Sequence, residues 1–215
     1  MGIGFNLAWR LFRHEARRGE LTIILLAIVL SVASVLSLSL FSERLQGALT
    51  ERSASFLAAD SQFRSSQPID DSWVAEASEF DLKTARQVAT RSMAFGEENM
   101  SLVDLRAVNE NYPLKGEVLI ADTPFGQTKA ASDLPSPGEA WIDSRLFQLL
   151  DVKLGGTIYV GDAAFTVTRV LGEIPDAGFS IFSTDPIVLI RDADLAAANI
   201  TGPGSRVNYT AYFTG

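Results

Sequence analysis

Cysteine is absent from this chain of 215 residues, and histidine occurs once, at position 14. Without cysteine there is no disulfide framework, no thiol nucleophile and no thiolate metal site. His14 stands among Arg10, Arg13, Arg17 and Arg18, ahead of any globular stretch. A Ser–His–Asp triad in the remaining sequence is thereby excluded, and His14 reads as a surface residue of its own segment. No G-x-x-x-x-G-K-[ST] run occurs, which removes nucleotide hydrolysis by the P-loop route. Positive charge is scarce as well: 18 Lys and Arg face 26 Asp and Glu, for a net −8. Nucleic-acid binders and peripheral lipid binders both need clustered Lys and Arg. No nucleic-acid partner is expected, and no catalytic, cofactor-binding or metal residue is assigned. The chain reads as no enzyme.

The acidic pairs fit a structural role better than a metal. Asp70–Asp71 and Asp192/Asp194 lack the Gly-punctuated spacing of a calcium loop, and both precede helical runs, where Asp caps orphan N–H groups. Gly155–Gly156 and Gly202-Pro203-Gly204 read as turn formers. Trp73, Trp141 and Tyr159 are expected in the core. Asn199-Ile200-Thr201 and Asn208-Tyr209-Thr210 match the glycosylation sequon, a pattern that recurs by chance.

What the chain does have is one long apolar run. Residues 21–41 contain no charge, and about 20 residues at 1.5 Å each are what a bilayer core of about 30 Å requires. A secretory signal core has only about 7–15, so a retained transmembrane helix is expected over a cleaved signal. The first twenty residues hold four arginines against two glutamates, a surplus of two positive charges. Residues 42–215 therefore carry −10 against the chain's −8. Basic flanks stay cytoplasmic, so the acidic remainder is expected to be extracytoplasmic. Residues 3–18 read as an amphipathic helix lying at the membrane interface, with Phe5, Trp9, Phe12 and Ala16 opposite the arginines. Gly19 offers a bend. Past residue 41 the helical period continues through Leu45, Leu49 and Phe56, without proline up to about 59. Such a helix would be about 58 Å long, its outer half a stalk that either transmits movement or is a passive spacer.

From residue 60 the pattern becomes strands and short helices. Residues 60–66 suggest a strand, and a short helix spans Trp73 to Phe80. The alternating runs 85–95 and 100–108 flank Gly96, Glu97, Glu98 and Asn99 as a hairpin. Further strands are expected at 117–121, 139–143, 157–161, 163–174, 186–190 and 204–213, with helices from Ser144 and from Asp192. The domain organisation is a cytoplasmic or interfacial helix at 1–20, a transmembrane helix at 21–41, a helical stalk at 42–59 and an exterior domain at 60–215. The fold class is α+β with mostly antiparallel pairing.

This order of pieces resembles the N-terminal part of MacB/FtsX/LolC-type ABC transporter permeases, closest to the YbbP-like predicted permease subfamily. The exterior part looks like a MacB-like periplasmic core domain. The resemblance rests on Ala16-Arg17-Arg18-Gly19-Glu20-Leu21 at the membrane entry and on Tyr112-Pro113-Leu114-Lys115-Gly116. It rests also on Pro137-Gly138-Glu139-Ala140-Trp141 and on Gly204-Ser205-Arg206-Val207 with Tyr209. Ile174 within Glu173-Ile174-Pro175-Asp176, the run Asp185-Pro186-Ile187 and the pair Ala198-Asn199 depart from the subfamily's usual residues, as turn variations. The resemblance implies an ABC-type ATPase subunit acting in trans, membrane lipid around the helix, a homodimer, and an envelope lipid, lipoprotein or protein substrate. It implies the bacterial inner membrane, with the N-terminus cytoplasmic and residues 42–215 periplasmic, and it implies no cofactor.

Two other readings suit the same layout: a single-pass sensor or adaptor, and a regulator of a cell-wall hydrolase. The second needs an exposed apolar patch to recruit its partner. The permease reading makes this chain the N-terminal region of a longer polypeptide. An antibody against residues 60–215 should then detect a membrane band several times larger than 23.3 kDa, whereas a band at that mass favours the sensor.

Overall fold

The computed structural model describes residues 20–55, 58–176, 185–202 and 205–215. The amphipathic segment 3–18 with His14, the bend at Gly19, Phe56, and Pro203–Gly204 lie outside them. Two compact units result, Met1–Arg52 and Ser53–Gly215.

Helix α1 covers Glu20–Ser55, 36 residues. Within it Ile23–Arg44 is long and apolar enough to cross a membrane, at mean hydropathy 2.7, and among the described residues nothing buries it. The Ser34 hydroxyl donates to the Leu30 carbonyl at 2.8 Å, so this polar group needs no water. The periodicity predicts helix to about residue 59. The last described helical residue is Ser55 and residues 58–60 are bends, because Ala58 and Ala59 are drawn into a buried cluster.

The second unit is α+β and mostly antiparallel. Its elements in chain order are β1 (Ser61–Ser65), α2 (Asp71–Glu79), β2 (Lys83–Phe95), β3 (Met100–Val108), β4 (Leu119–Ala121), β5 (Thr128–Ala130), β6 (Glu139–Asp143) and α3 (Ser144–Leu149). Then follow β7 (Thr157–Val160), β8 (Ala163–Glu173), β9 (Ile187–Arg191), a 3₁₀ turn (Asp192–Asp194), α4 (Leu195–Ala198) and β10 (Val207–Thr214). The strand order is β1-β10-β2-β3-β9-β6-β8-β4-β5, with β7 pairing both β2 and β8. Among the described strands only β3–β9 and β6–β8 run parallel.

Because β7 bridges β2 and β8, the strands β2, β3, β9, β6, β8 and β7 form a closed ring of pairings. Alternation along each strand then sends one set of side chains inward. Val103, Leu105, Ile142, Ile158, Phe165, Val167, Val170 and Ile190 fill one core. Trp141, Leu189, Ile120, Leu171, Ala85, Tyr112 and Tyr212 point the other way and form a second core. The inward spacing on β8 slips from two to three between Val167 and Val170. A bulge there pairs Ala140 with Val167 but Trp141 with Arg169, as one extra residue does. It brings the Arg169 guanidinium over the Trp141 ring at 5.3 Å, a cation–π contact.

The turn at Gly161 shows why that residue is glycine. Its φ is +59°, and a Cβ there would come within 2.0 Å of the Ala198 carbonyl oxygen.

Tyr112 and Tyr212 pack with their rings tilted at 54°, centroids 5.7 Å apart, in the second core. The Tyr112 hydroxyl donates to the Pro175 carbonyl and that of Tyr212 to Asp176. Burial pushes both phenols well above their ordinary value, and for Tyr212 the hydrogen bond to the Asp176 carboxylate raises it further. A raised folded-state pKa means stability that is complete below the ordinary phenol value of about 10 and is lost as pH rises through the folded values. In an absorbance titration, two of the four tyrosines should ionise only together with loss of near-ultraviolet circular dichroism. All four ionising reversibly near pH 10 in the folded protein would contradict this.

Candidate functional site

Strand β2 carries three zones on the face outside the ring, read in steps of two residues. Ala85 is fully buried in the second core. Gln87, Ala89 and Arg91 follow, and then Met93 and Phe95. The hairpin loop 96–99, closed by Gly96 N–H donating to the Asn99 carbonyl at 2.8 Å, fixes the partners on β3. Ala89 pairs with Arg106, Arg91 with Asp104, Met93 with Leu102 and Phe95 with Met100. On the other side β10 places Asn208 beside Ala89 and Thr210 beside Gln87. Phe95 also pairs with Tyr159 of β7.

The middle zone is polar. Arg106 is largely buried; its Nε and Nη2 donate to a single oxygen of Asp104 at 3.0 and 2.8 Å, and its Nη1 to Gln87 Oε1 at 2.9 Å. Burial alone would lower the guanidinium pKa, but the hydrogen bonds and charge of Asp104 more than reverse it, so Arg106 stays charged. Gln87 is 2 % exposed, and its Oε1 also accepts from the Tyr212 hydroxyl at 3.3 Å. Arg91 pairs with Asp185 at 2.9 Å, and Arg64 approaches Asp176 at 3.8 Å. Two adjoining cavities, of about 380 and 210 Å³, share Ala89, Arg106 and Asn208 as lining.

The last zone is apolar and open. Met100, Leu102, Phe95 and Tyr159 are 65, 44, 41 and 50 % exposed, and the register sets them side by side. They form one exposed apolar patch, the kind of feature at which partners dock.

The residues singled out in the sequence serve mostly the fold. Asp70 Oδ1 accepts from Ser72 N–H at 2.9 Å, a helix cap, and this bond holds its carboxyl below the usual range. Asp192 accepts from Ala193 N–H within its own 3₁₀ turn. Asp194 accepts nothing from its helix; both its oxygens take the Gly138 N–H at 3.1–3.2 Å. The expected helix from Asp192 is thus a turn plus the four residues of α4, because Asn199 turns left-handed at φ +52°. Of the three aromatics expected in the core, only Trp141 is there. Trp73 is half exposed and packs on Phe63 at 5.1 Å, and Tyr159 belongs to the open patch. Gly155 and Gly156 form the turn before β7. Asn199 Nδ2 donates to Asp162, whereas Asn208 lies in the polar zone. Among the described residues no group of His, Asp and Glu is placed to hold a metal.

Tyr112, Lys115 and Asp60 lie together: Lys115 N–H donates to the Ala58 carbonyl and its ammonium pairs with Asp60. Asp60 accepts from the Thr214 hydroxyl at 2.8 Å as well. The hydrogen bond from Lys115, followed by that from Thr214, holds the Asp60 carboxyl below its usual value.

Residues 21–212 match the family model described as the MacB-like periplasmic core domain. The chain belongs to this family. The uncharacterized ABC transporter permease YbbP of Escherichia coli (strain K12) is 34% identical over 206 residues, 96% of this chain and 25% of the relative. The chain therefore spans about a quarter of that protein's length. Among solved structures, the extracellular domain of the noncanonic ABC-type transporter YknZ from Gram-positive bacteria aligns at TM-score 0.45. Its identity is 14%, over 70% of this chain and 82% of that one. The periplasmic region of MacB from Actinobacillus actinomycetemcomitans aligns at TM-score 0.39 and 13% identity, over 66% and 64%.

In this MacB-like domain the open patch carries little of the folding energy, while Trp141 carries much. Replacing Met100 and Leu102 together by serine should shift unfolding by less than about 1 kcal/mol. Trp141→Ala should cost about 3–5 kcal/mol. Urea unfolding of the chain in lipid nanodiscs measures both, and equal losses would place the patch inside the folded core.

Proposed function

We propose that this chain is the N-terminal part of an ABC transporter permease subunit of the bacterial inner membrane. In this reading a partner ATPase in trans hydrolyses ATP on the cytoplasmic side, and α1 crosses the membrane with its N-terminus inside. Residues 42–59 form the stalk, and residues 60–215 act outside on a lipid, lipoprotein or other envelope substrate. The observation that carries it is the family's exterior domain joined in one chain to a helix of membrane-spanning length. A homodimer would supply the second membrane half. The exposed Phe95–Met100–Leu102–Tyr159 patch supports an apolar contact for the substrate. The same patch is what a hydrolase regulator would need, and it keeps that reading as the second.

The stalk is the transmission element in this mechanism, and its helix, continuous as far as Ser55, is what lets it transmit. Inserting Gly-Pro after Gly47 in the full-length polypeptide should leave membrane insertion and ATP hydrolysis by the partner ATPase intact. It should uncouple that hydrolysis from the exterior domain, because proline breaks the helix at a cost of about 3 kcal/mol or more. Residues 1–215 hold no cysteine, so Met100→Cys, in a full-length polypeptide with any cysteine beyond residue 215 replaced by serine, accepts a single environment-sensitive dye that reports on the patch. ATP should change its fluorescence in the parent and leave it constant in the insertion variant. An unchanged response in that variant would overturn the transmission role. A patch that recruits a cell-wall hydrolase in the absence of ATP turnover would favour the regulator.

A further inference from the structure

We propose that the open patch at the end of the β2–β3 hairpin docks a cationic amphipathic helix of a second protein, one that carries lysine or arginine beside a narrow apolar face. The apolar part of the surface is set by register. Tyr159, Phe95 and Met100 stand in one row across β7, β2 and β3, and Met93 and Leu102 form the next row on β2 and β3. Three strands about 4.8 Å apart and two rows about 7 Å apart make a surface of about 10 by 7 Å. Two turns of a helix present residues i, i+3, i+4 and i+7 over about 10 Å, so the patch matches one helix stripe. A flat interface between folded proteins takes about 800 Å² from each side, far more than this patch offers.

The rim selects the charge of that partner. Glu97 and Glu98 lie in the four residues that join Phe95 to Met100, both exposed and without an ion pair or hydrogen bond among the described residues. Leu150 abuts the same loop, since a Cβ on Gly96 would come within 3.3 Å of the Leu150 Cβ. The next residue, Asp151, is likewise exposed and unpaired among the described residues. Segments 95–102 and 149–160, which carry the rim and most of the patch, hold three carboxylates against one ammonium, Lys153. Arg91, one row further along β2, is held by Asp185 at 2.9 Å. Free carboxylates beside exposed apolar side chains repel an anionic lipid surface, which draws basic segments instead, and they complement lysine and arginine. Residues 42–215 carry −10, so the long-range field draws the same partner. This helix is what meets the patch in the permease reading, and only the placement of residues 60–215 outside the membrane is taken from that reading.

The test uses the full chain in phosphatidylcholine nanodiscs and two synthetic amphipathic peptides of about 14 residues, long enough to hold a helix. One is built of leucine and lysine, the other of leucine and glutamate, with the same apolar face. Empty discs of the same lipid give the membrane contribution, which is subtracted. Fluorescence anisotropy should show saturable binding of the lysine peptide to the chain and none of the glutamate peptide. Glu97→Gln together with Glu98→Gln should weaken binding about 5-fold at low salt, an effect that fades at about 0.5 M salt as the charges are screened. Met100→Ser together with Leu102→Ser should weaken it about 10-fold or more. All four side chains are exposed, so both variants fold. Equal binding of the two peptides, binding no greater than to empty discs, or binding indifferent to either pair of substitutions would overturn the proposal. So would capture of the discs by phosphatidylglycerol vesicles that requires Met100 and Leu102, because the rim would then not select a cation. No ATPase takes part, so a failure here leaves the permease reading standing, and a failure of that reading in the Gly-Pro insertion variant leaves this binding intact.

Discussion

The pairing of the four-residue strand β7 with both β2 and β8 is the constraint on which the exterior domain depends. A sheet that ended at β2 would leave its ladder open and its inner face half solvated. Closing the ring abolishes that edge and forces inward positions to be apolar in turn. The bulge at Trp141 is the adjustment this closure needs, since β8 must serve β6, β7 and β4 in one curve. Without the extra residue, Arg169 would face the inner core, where an unpaired charge costs several kcal/mol. With it, Arg169 lies over Trp141 and reaches Asp133 at 3.0 Å.

Ring closure also explains why the outer face can be graded. The inner core is the larger cluster of buried residues, so the outward positions of β2 from Ala89 to Phe95 are free of the demand for burial. Large exposed apolar groups at 93–95 and a polar network at 87–91 would each weaken an open two-layer sandwich, whose sheets bury one face apiece. Here their cost is borne by a core already complete. The interior polar network is tied at its base to the second core through Tyr212, which donates toward both Gln87 and Asp176. Side chains there are held by several partners at once, which fixes their geometry more firmly than any single bond of about 1 kcal/mol could.

Much of this was legible in the sequence. The 85–95 and 100–108 alternation and the Gly96–Asn99 loop predicted the long hairpin, and a four-residue loop pairs residue 95 with 100. Arg91 opposite Asp104 and Ala89 opposite Arg106 follow from that register, so the polar zone could have been read as a patch before any coordinates. The burial of Gln87 could not, because it depends on β10 returning from over a hundred residues away. Trp73 and Tyr159 defeated the expectation that large aromatics lie inside. Each sits on a surface strand or helix whose inward positions were taken by smaller residues, Ala77 of α2 and Ile158 of β7. The three-residue β5 gave no signal, its period too short to register. The helix from Asp192 was overextended because alanine propensity yielded to the left-handed turn at Asn199.

The residues that carry the family resemblance turn out to do structural work. Tyr112 holds Pro175, Lys115 clamps Asp60 and Ala58, Gly138 meets Asp194, and Trp141 sits in the second core under Arg169. These contacts fix where the chain enters the domain and how its loops close. Resemblance in such residues transmits a fold, and a fold can host many chemistries. What the domain touches must then be set elsewhere, on positions free of folding duty. In this chain the large exposed side chains of that kind on the β2 face are Phe95, Met100, Leu102 and Tyr159. The polar rows and the apolar patch are adjacent, so the surface is polar toward Gln87 and apolar toward Phe95. The grading of one strand face by steps of two residues gives the surface that amphipathic character.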